Sequence, residues 1–319
     1  MPFELPHVRL AAVDTQDDTY RLTPPRDGAA LEASIACMGL LCAPILVGSE
    51  KRWTVISGFR RVAACRRLGW ERIPARLPAD TTDPWRCARW AVAEKAAERP
   101  LEGLAAGRAL RLLRRFAPGE EVLGQALRHF GLPHQPEARE RLESLCDLPD
   151  AIQAAVSDGV LAVSTALSLG RMPPETAQGV AALLSALRFG VNKQREVLTL
   201  LEEIARREGM PLDAVLAAPE LKALAADVES DPARRGHRLR TYLYQRRYPA
   251  LSRAQRRFEA ISRGLCPDPG AQLAAPQGFE GRAFRLTLAF SSRSDLARHR
   301  QTLERLLSDP DLDKMFQLA

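Results

Sequence analysis

At Pro84 the hydrophobic period of the chain changes, and that change limits the folds open to it more than any other feature. Upstream, apolar residues come in short runs rich in β-branched side chains, Pro44-Ile45-Leu46-Val47 and Trp53-Thr54-Val55-Ile56. These runs sit between helical stretches that end at glycine: Asp27 to Leu40, stopped at Gly39, and Phe59 to Leu68, stopped at Gly69. Arg72 to Leu77 suits one further strand. Downstream the period is helical. Trp85 to Glu98 and Leu101 to Phe116 are separated by Pro100, and Pro118-Gly119 marks a boundary. From Glu120 to about Ala217, short amphipathic helices are punctuated by Pro133, Pro149, Pro173-Pro174 and Pro211. Beyond Arg234 the pattern gives helices on both sides of Pro249, strand candidates Ala271 to Pro276 and Ala283 to Phe290, and a last helix, Ser294 to Leu307. The expected fold class is α+β in three parts: an α/β domain over 1–116, an all-α domain over 117–230, and arginine-rich helices plus a small α/β domain over 231–319.

Composition removes several alternatives. With 319 residues, 46% of them hydrophobic, the chain can bury a proper core, and 20 Gly and 23 Pro are ordinary usage that excludes collagen-like and wholly disordered chains. No uncharged apolar run approaches the roughly 20 residues of a membrane span, and the N-terminus has no apolar signal core. A soluble cytoplasmic protein with no membrane partner is expected. The six cysteines form no Cys-x-x-Cys pair and no zinc spacing, so they read as buried small hydrophobes.

Charge is unevenly placed. Between Lys51 and Arg76 there are eight Lys or Arg and one acid, and between Arg234 and Arg263 ten Arg and one acid. The two stretches carry +7 and +9, so the rest of the chain sums to −9 within a formal net charge of +7. Clustered cations point to a polyanionic partner.

The first cluster contains Trp53-Thr-Val-Ile-Ser-Gly-Phe-Arg-Arg-Val-Ala-Ala-Cys-Arg-Arg-Leu-Gly-Trp70. A strand ends at Ser57, Gly58 permits a tight turn, and the helix that follows has Arg60 and Arg61 in its first turn. Free N–H groups at a helix start already favour an anion, so cations there ask for phosphate or carboxylate unless they lie on a solvated face. With Ser34-Ile35, Gly39-Leu40-Leu41, Pro44-Ile45-Leu46-Val47, Gly58-Phe59-Arg60-Arg61, Ala63-Ala64 and Leu68-Gly69, the order and spacing over roughly Leu5 to Leu113 resemble the ParB family of chromosome-partition and related CTP-binding proteins. The N-terminal domain of that family shares a fold with sulfiredoxin. The resemblance implies a triphosphate cradled by Ser57, Gly58, Arg60 and Arg61, with Arg21 as an upstream nucleotide contact. It also sets Glu94-Lys95-Ala96-Ala97-Glu98-Arg99 against the family's Glu-Asn-x-x-Arg, so that Glu94, Lys95 and Arg99 fall beside the nucleotide and Glu94 in a magnesium site.

Two departures change the expected chemistry. Phe59 stands where the family has a glutamate tied to hydrolysis, so turnover is expected to be weak or absent. Lys95 replaces the metal-binding asparagine, and an ammonium is no ligand, which argues against Mg2+ dependence. Sulfiredoxin chemistry is disfavoured, because its catalytic cysteine would fall at Phe59. A small-molecule kinase on the same fold remains an alternative, as does a bridging protein with a vestigial nucleotide site.

Val122 to Gly131 and Glu137 to Cys146 are placed by the resemblance as a helix-turn-helix, yet Pro118 to Pro149 holds six acids against three arginines. That is a poor surface for DNA, and a structural role weighs against base contacts by Gln135, Arg139 or Arg141. The second cluster is a better footprint. Arg238, Arg240, Arg246, Arg247, Arg256 and Arg257 are interleaved with Tyr242, Tyr244, Tyr248 and Phe258, and they suit DNA phosphates unless they pair with acidic faces of the middle segment. The resemblance further implies a nucleoid-associated homodimer joined near its C-terminal end, and a protein partner is a further expectation.

Overall fold

Short strands open the chain: β1 (Phe3–Glu4), β2 (His7–Arg9) and β3 (Val13–Asp14) precede helix α1 (Ala29–Met38). The two apolar runs become β4 (Ile45–Ser49) and β5 (Arg52–Ser57), followed by α2 (Phe59–Arg67), β6 (Arg72–Pro74) and β7 (Leu77–Pro78). This computed structural model describes residues 3–24, 28–78, 83–227, 230–266 and 270–318, and Asp27, the expected first residue of α1, lies outside them. The chain divides into two compact units, Met1–Glu196 and Val197–Ala319.

β4 and β5 pair antiparallel, with β3 parallel on the far side of β5. Side chains alternate across a strand, and here both faces are covered. Ile45, Val47 and Ile56 enter one core with residues of α3 (Pro84–Glu98), α4 (Gly103–Phe116) and α5 (Glu120–His129). Leu46, Trp53 and Val55 enter a second core with Ile35 of α1 and Val62, Ala64 and Cys65 of α2. Burying each such aliphatic side chain contributes about 2 kcal/mol. Phe59 packs against both cores, so the residue at the turn also joins the two layers.

One strand reading needs correction. Arg72 to Leu77 is not continuous, because its partner changes along its length: β6 pairs with β2, Arg76 bridges to Ile45, and β7 pairs with β1. The cysteine reading changes as well. Cys65 and Cys87 are buried, and desolvation raises both thiols, that of Cys87 to about 11. Cys37 and Cys42 are exposed, because α1 turns only Ile35 fully inward and Cys42 lies in the loop beyond it.

The rest of the first unit is helical. The two segments expected as a helix-turn-helix are helical, as α5 and the short α6 (Pro136–Glu143), and α7 (Asp150–Ser157), α8 (Val163–Leu169) and α9 (Pro174–Ala186) follow. Gln153 and Gln194, both buried, tie loops to this bundle. Gln153 donates to the Cys146 and Leu148 carbonyls and accepts from Arg108; Gln194 donates to Val160 and Phe189 and accepts from Ala162 N–H.

α10 (Val191–Glu208) runs through the division between units. The second unit continues with α11 (Leu212–Leu216), α12 (Pro219–Ala226), α13 (Pro232–Arg247) and α14 (Pro249–Leu265). Pro249 separates the last two as the sequence suggested. β8 (Ala271–Ala274) and β9 (Arg285–Leu288) pair antiparallel, followed by α15 (Arg293–Ser308) and α16 (Asp311–Phe316). Phe258, Leu265, Leu306 and Met315 form the core of this end. Among the described residues no helix is long and apolar enough to cross a membrane.

Candidate functional site

Gly58 fixes the geometry of the β5–α2 turn. Its φ of +94° is in the left-handed region, and a Cβ there would stand 2.8 Å from Pro44 Cβ and 3.0 Å from Pro44 Cα. A residue without a side chain therefore lets β5 turn sharply against Pro44, and the first turn of α2 opens beside a cavity of about 1170 Å³. That exceeds the usual size of a small-ligand site. Seven of the eight residues that the sequence pointed to line this cavity: Ser57, Gly58, Arg60, Arg61, Glu94, Lys95 and Arg99. Arg21 does not line it. Its guanidinium lies over the Phe59 ring, 4.6 Å from the centroid, and its Nε is 2.8 Å from Asp18 Oδ1.

The cations of the wall are held from behind. Arg61 donates to the Cys42 carbonyl (3.0 Å) and to Glu94 Oε1 (3.2 Å), and Arg76 Nη2 donates to the same oxygen at 2.5 Å. Glu94 thus gathers two guanidiniums, both with partly buried side chains, while Lys95 pairs with Glu98 at 2.6 Å. Arg60, next to them, is exposed. Glu94 Oε2 is buried without a hydrogen-bond partner. It still does not make a magnesium site, because its carboxylate already faces two fixed positive charges and its neighbour Lys95 is a third cation. Among the described residues no group of three or more His, Cys, Asp or Glu side chains is placed to hold a metal ion.

Several wall residues were not singled out from the sequence. Arg76 belongs to the same basic cluster, and its charge was the available signal. Val156, Ser157, Gly159 and Val163 also line the cavity, though they come from α7, the start of α8 and the loop between them. Nothing local in that stretch marks it, since its role arises only from the packing of the α-helical segment.

Most of the first basic cluster is used inside the protein. Arg52 pairs with Asp14 and Arg67 with Glu32, each at 2.5 Å. Arg66 donates to the Leu10 and Val13 carbonyls, and Arg72 to the His7 carbonyl. With Arg61 and Arg76, six of the eight cations staple the N-terminal strands, the loop before β4 and helices α1 and α3 to the sheet layer.

Residues 16–95 match the ParB N-terminal domain. This ParB-like segment contains the β5–α2 turn, Glu94 and Lys95, and ends inside α3. Among solved structures, the C-terminally truncated chromosome-partitioning protein ParB from Caulobacter crescentus is similar in its complex with CTP-γ-S. It is 18% identical, with 55% of this chain and 97% of that chain covered and a TM-score of 0.27. The same protein complexed to the centromeric parS site is 17% identical, with 59% and 96% covered and a TM-score of 0.32. A Pnob8-like ParB-N domain is 12% identical, with 71% and 94% covered and a TM-score of 0.33. No curated protein matches the chain.

The other candidates lie apart from the ParB-like segment. Arg139, on α6, is 3.6 Å from Glu120, and Arg141 is exposed on the same helix beside Glu140. In the second unit Arg246 binds Glu208 through Nε (3.2 Å) and Nη2 (2.6 Å), Arg247 binds Glu203 at 2.7 Å, and Arg238 binds Asp227 at 3.0 Å. The hydrogen bond from Arg246 lowers the Glu208 carboxyl below its ordinary range. Arg240 is half-buried, and Arg256 and Arg257 are exposed.

Proposed function

We propose that the cavity binds a nucleoside triphosphate, CTP, with its phosphates over the β5–α2 turn, and that the chain is a nucleotide-dependent DNA-binding protein of chromosome or plasmid partition or a related DNA regulation. The observation that carries this reading is the convergence of Gly58, Arg60 and Arg61 on one cavity wall, within a segment that matches the ParB N-terminal domain. Open N–H groups at the start of α2 and two adjacent guanidiniums form an anion site of the kind phosphates take. Arg61 is positioned by Glu94 and the Cys42 carbonyl, so little ordering is left for binding to complete. Arg60 approaches from the exposed side, and Lys95 and Arg99 bring further positive charge. The choice of CTP over other nucleotides follows the ParB resemblance of the segment.

No carboxylate stands at Phe59, and of the carboxylates that line the cavity Glu94 and Glu98 are engaged with cations, while Glu102 lies beyond Pro100 at the N-cap of α4. Hydrolysis is accordingly weak or absent, and occupancy acts by shifting a homodimer between DNA-loading and clamped states. Such a protein is nucleoid-associated.

Titration of labelled CTP, ATP and GTP into wild type and Arg60→Ala, with and without duplex DNA, tests this. CTP is expected to bind wild type, and loss of one charge-assisted contact is expected to weaken it roughly 10- to 100-fold. Failure of the wild type to bind any of the three nucleotides overturns the reading. Turnover with a small hydroxyl acceptor and no effect of DNA would instead identify a phosphotransferase.

A further inference from the structure

The arginine-rich region of the second unit contains two chemically different sets. On α13, Arg238, Arg246 and Arg247 are held by Asp227, Glu208 and Glu203. On α14, Arg253, Arg256 and Arg257 are exposed and take part in no side-chain hydrogen bond or ion pair among the described residues. Their spacing of three and four puts them on one face, opposite the buried Phe258 and Leu265. The one acid of α14, Glu259, accepts from Gln255 through its side chain, and its carbonyl accepts from Arg263.

Left to itself this face is unfavourable. Like charges three or four residues apart on a helix destabilise it by about 0.2–0.5 kcal/mol per pair, and Arg253 forms such a pair with each of the other two. No acid stands in the first turn to offset them. A polyanion laid along the helix turns the same repulsion into attraction. By contrast α6, the second helix of the helix-turn-helix pair, exposes Glu137 and Glu140 beside Arg141 and would meet phosphate with net negative charge.

We propose that the Arg253, Arg256 and Arg257 face of α14 seats on the phosphate backbone of duplex DNA without reading sequence, an inference that rests on the reading of the chain as DNA-binding. Guanidiniums match phosphate oxygens bidentately, and side chains three and four apart stand roughly 5–6 Å apart at Cβ, a spacing that long flexible stems set against neighbouring phosphates. The exposed amide and carboxylate next to these arginines, Gln255 and Glu259, are engaged with each other, so the face supplies position and affinity rather than base choice.

The test uses the full chain and fluorescently labelled duplexes of two unrelated sequences, with binding measured by anisotropy between about 50 and 200 mM salt. The variants are Arg253→Glu/Arg256→Glu/Arg257→Glu and a charge-matched control, Arg282→Glu/Arg293→Glu/Arg305→Glu, whose positions are also exposed. Circular dichroism checks that both variants keep the wild-type helix content, and the milder Arg→Gln triple at the α14 positions replaces the first variant if it does not. The α14 variant is expected to lose at least about tenfold in affinity for both duplexes, and its log–log salt slope to fall by roughly 3, one unit per phosphate contact. The control is expected to stay within about threefold. Wild-type affinity in the α14 variant, or equal loss in the control, overturns this footprint while leaving DNA binding in place. If wild type binds neither duplex even at the lowest salt, the DNA reading itself falls and the footprint falls with it.

Discussion

Replacing Gly107 with alanine is expected to destabilise the first unit by about 3 kcal/mol, although alanine is the better helix former by about 1 kcal/mol. Gly107 lies inside α4 where that helix crosses the end of α6. A Cβ there would stand 2.2 Å from the Leu142 carbonyl oxygen, 3.0 Å from its carbon and 3.2 Å from Cys146 Sγ. The obstacle is backbone, which cannot rotate away as a side-chain tip would. The helices must part, and parting weakens what else joins them: Arg114 to Glu143 at 2.9 Å, and Arg111 to Asp147. Glu143 is only 5% exposed, so losing its guanidinium would leave a desolvated carboxylate. Urea unfolding monitored through the first unit should show a lower midpoint at unchanged slope. An unchanged or raised midpoint would show that α4 and α6 are not in this close contact.

The second large effect is at Gly58. Gly58→Val is expected to weaken nucleotide binding by 100-fold or more, about 2.7 kcal/mol, while leaving most of the helix content in place. A β-branched residue is strained at φ +94°, and its Cβ would meet Pro44 at 2.8 and 3.0 Å. Relief requires the turn to open or β4 to withdraw. Either shift moves Arg60 and Arg61 off the cavity wall and lengthens the Arg61 contact with the Cys42 carbonyl. Calorimetric titration with CTP, beside a far-ultraviolet spectrum of the same sample, separates loss of the site from loss of the fold. Wild-type affinity in a folded Gly58→Val protein would contradict the assignment of the phosphates to this turn.

What was legible in the sequence was legible for physical reasons. Pro44–Val47 and Trp53–Ile56 announce strands because both of their faces are buried and so both must be apolar. Gly39 and Gly58 mark the end of one helix and the start of another through backbone freedom that other residues lack. The two helices around Pro249 follow from a missing N–H. By contrast β1, β2 and β3 have two or three residues each, too few to set up an alternation, and their pairing with β7, β6 and β5 joins distant segments. The break between β6 and β7 is likewise set by partners rather than by Arg72 to Leu77 themselves. Charge clustering proved the least direct signal. Arg66 and Arg72 sit in a basic run yet end on the backbone carbonyls of the first strands and their connecting turn, and Arg246 and Arg247 end on carboxylates of α10. A linear count of charge cannot separate a cation that staples the fold from one that meets a partner. The separation we propose rests on three-dimensional position, in a turn beside the cavity as at Arg60 or on a self-repelling helical face as at Arg253, Arg256 and Arg257.

We place a nucleotide's phosphates on the β5–α2 turn. Amide hydrogen exchange of the full chain, followed by mass spectrometry with and without saturating CTP, reads that segment directly. Slower exchange is expected in peptides covering residues 57–63 and 94–103, with the protection lost in Arg60→Ala. Protection elsewhere with none at 57–63, or no change with CTP, ATP or GTP, would contradict it.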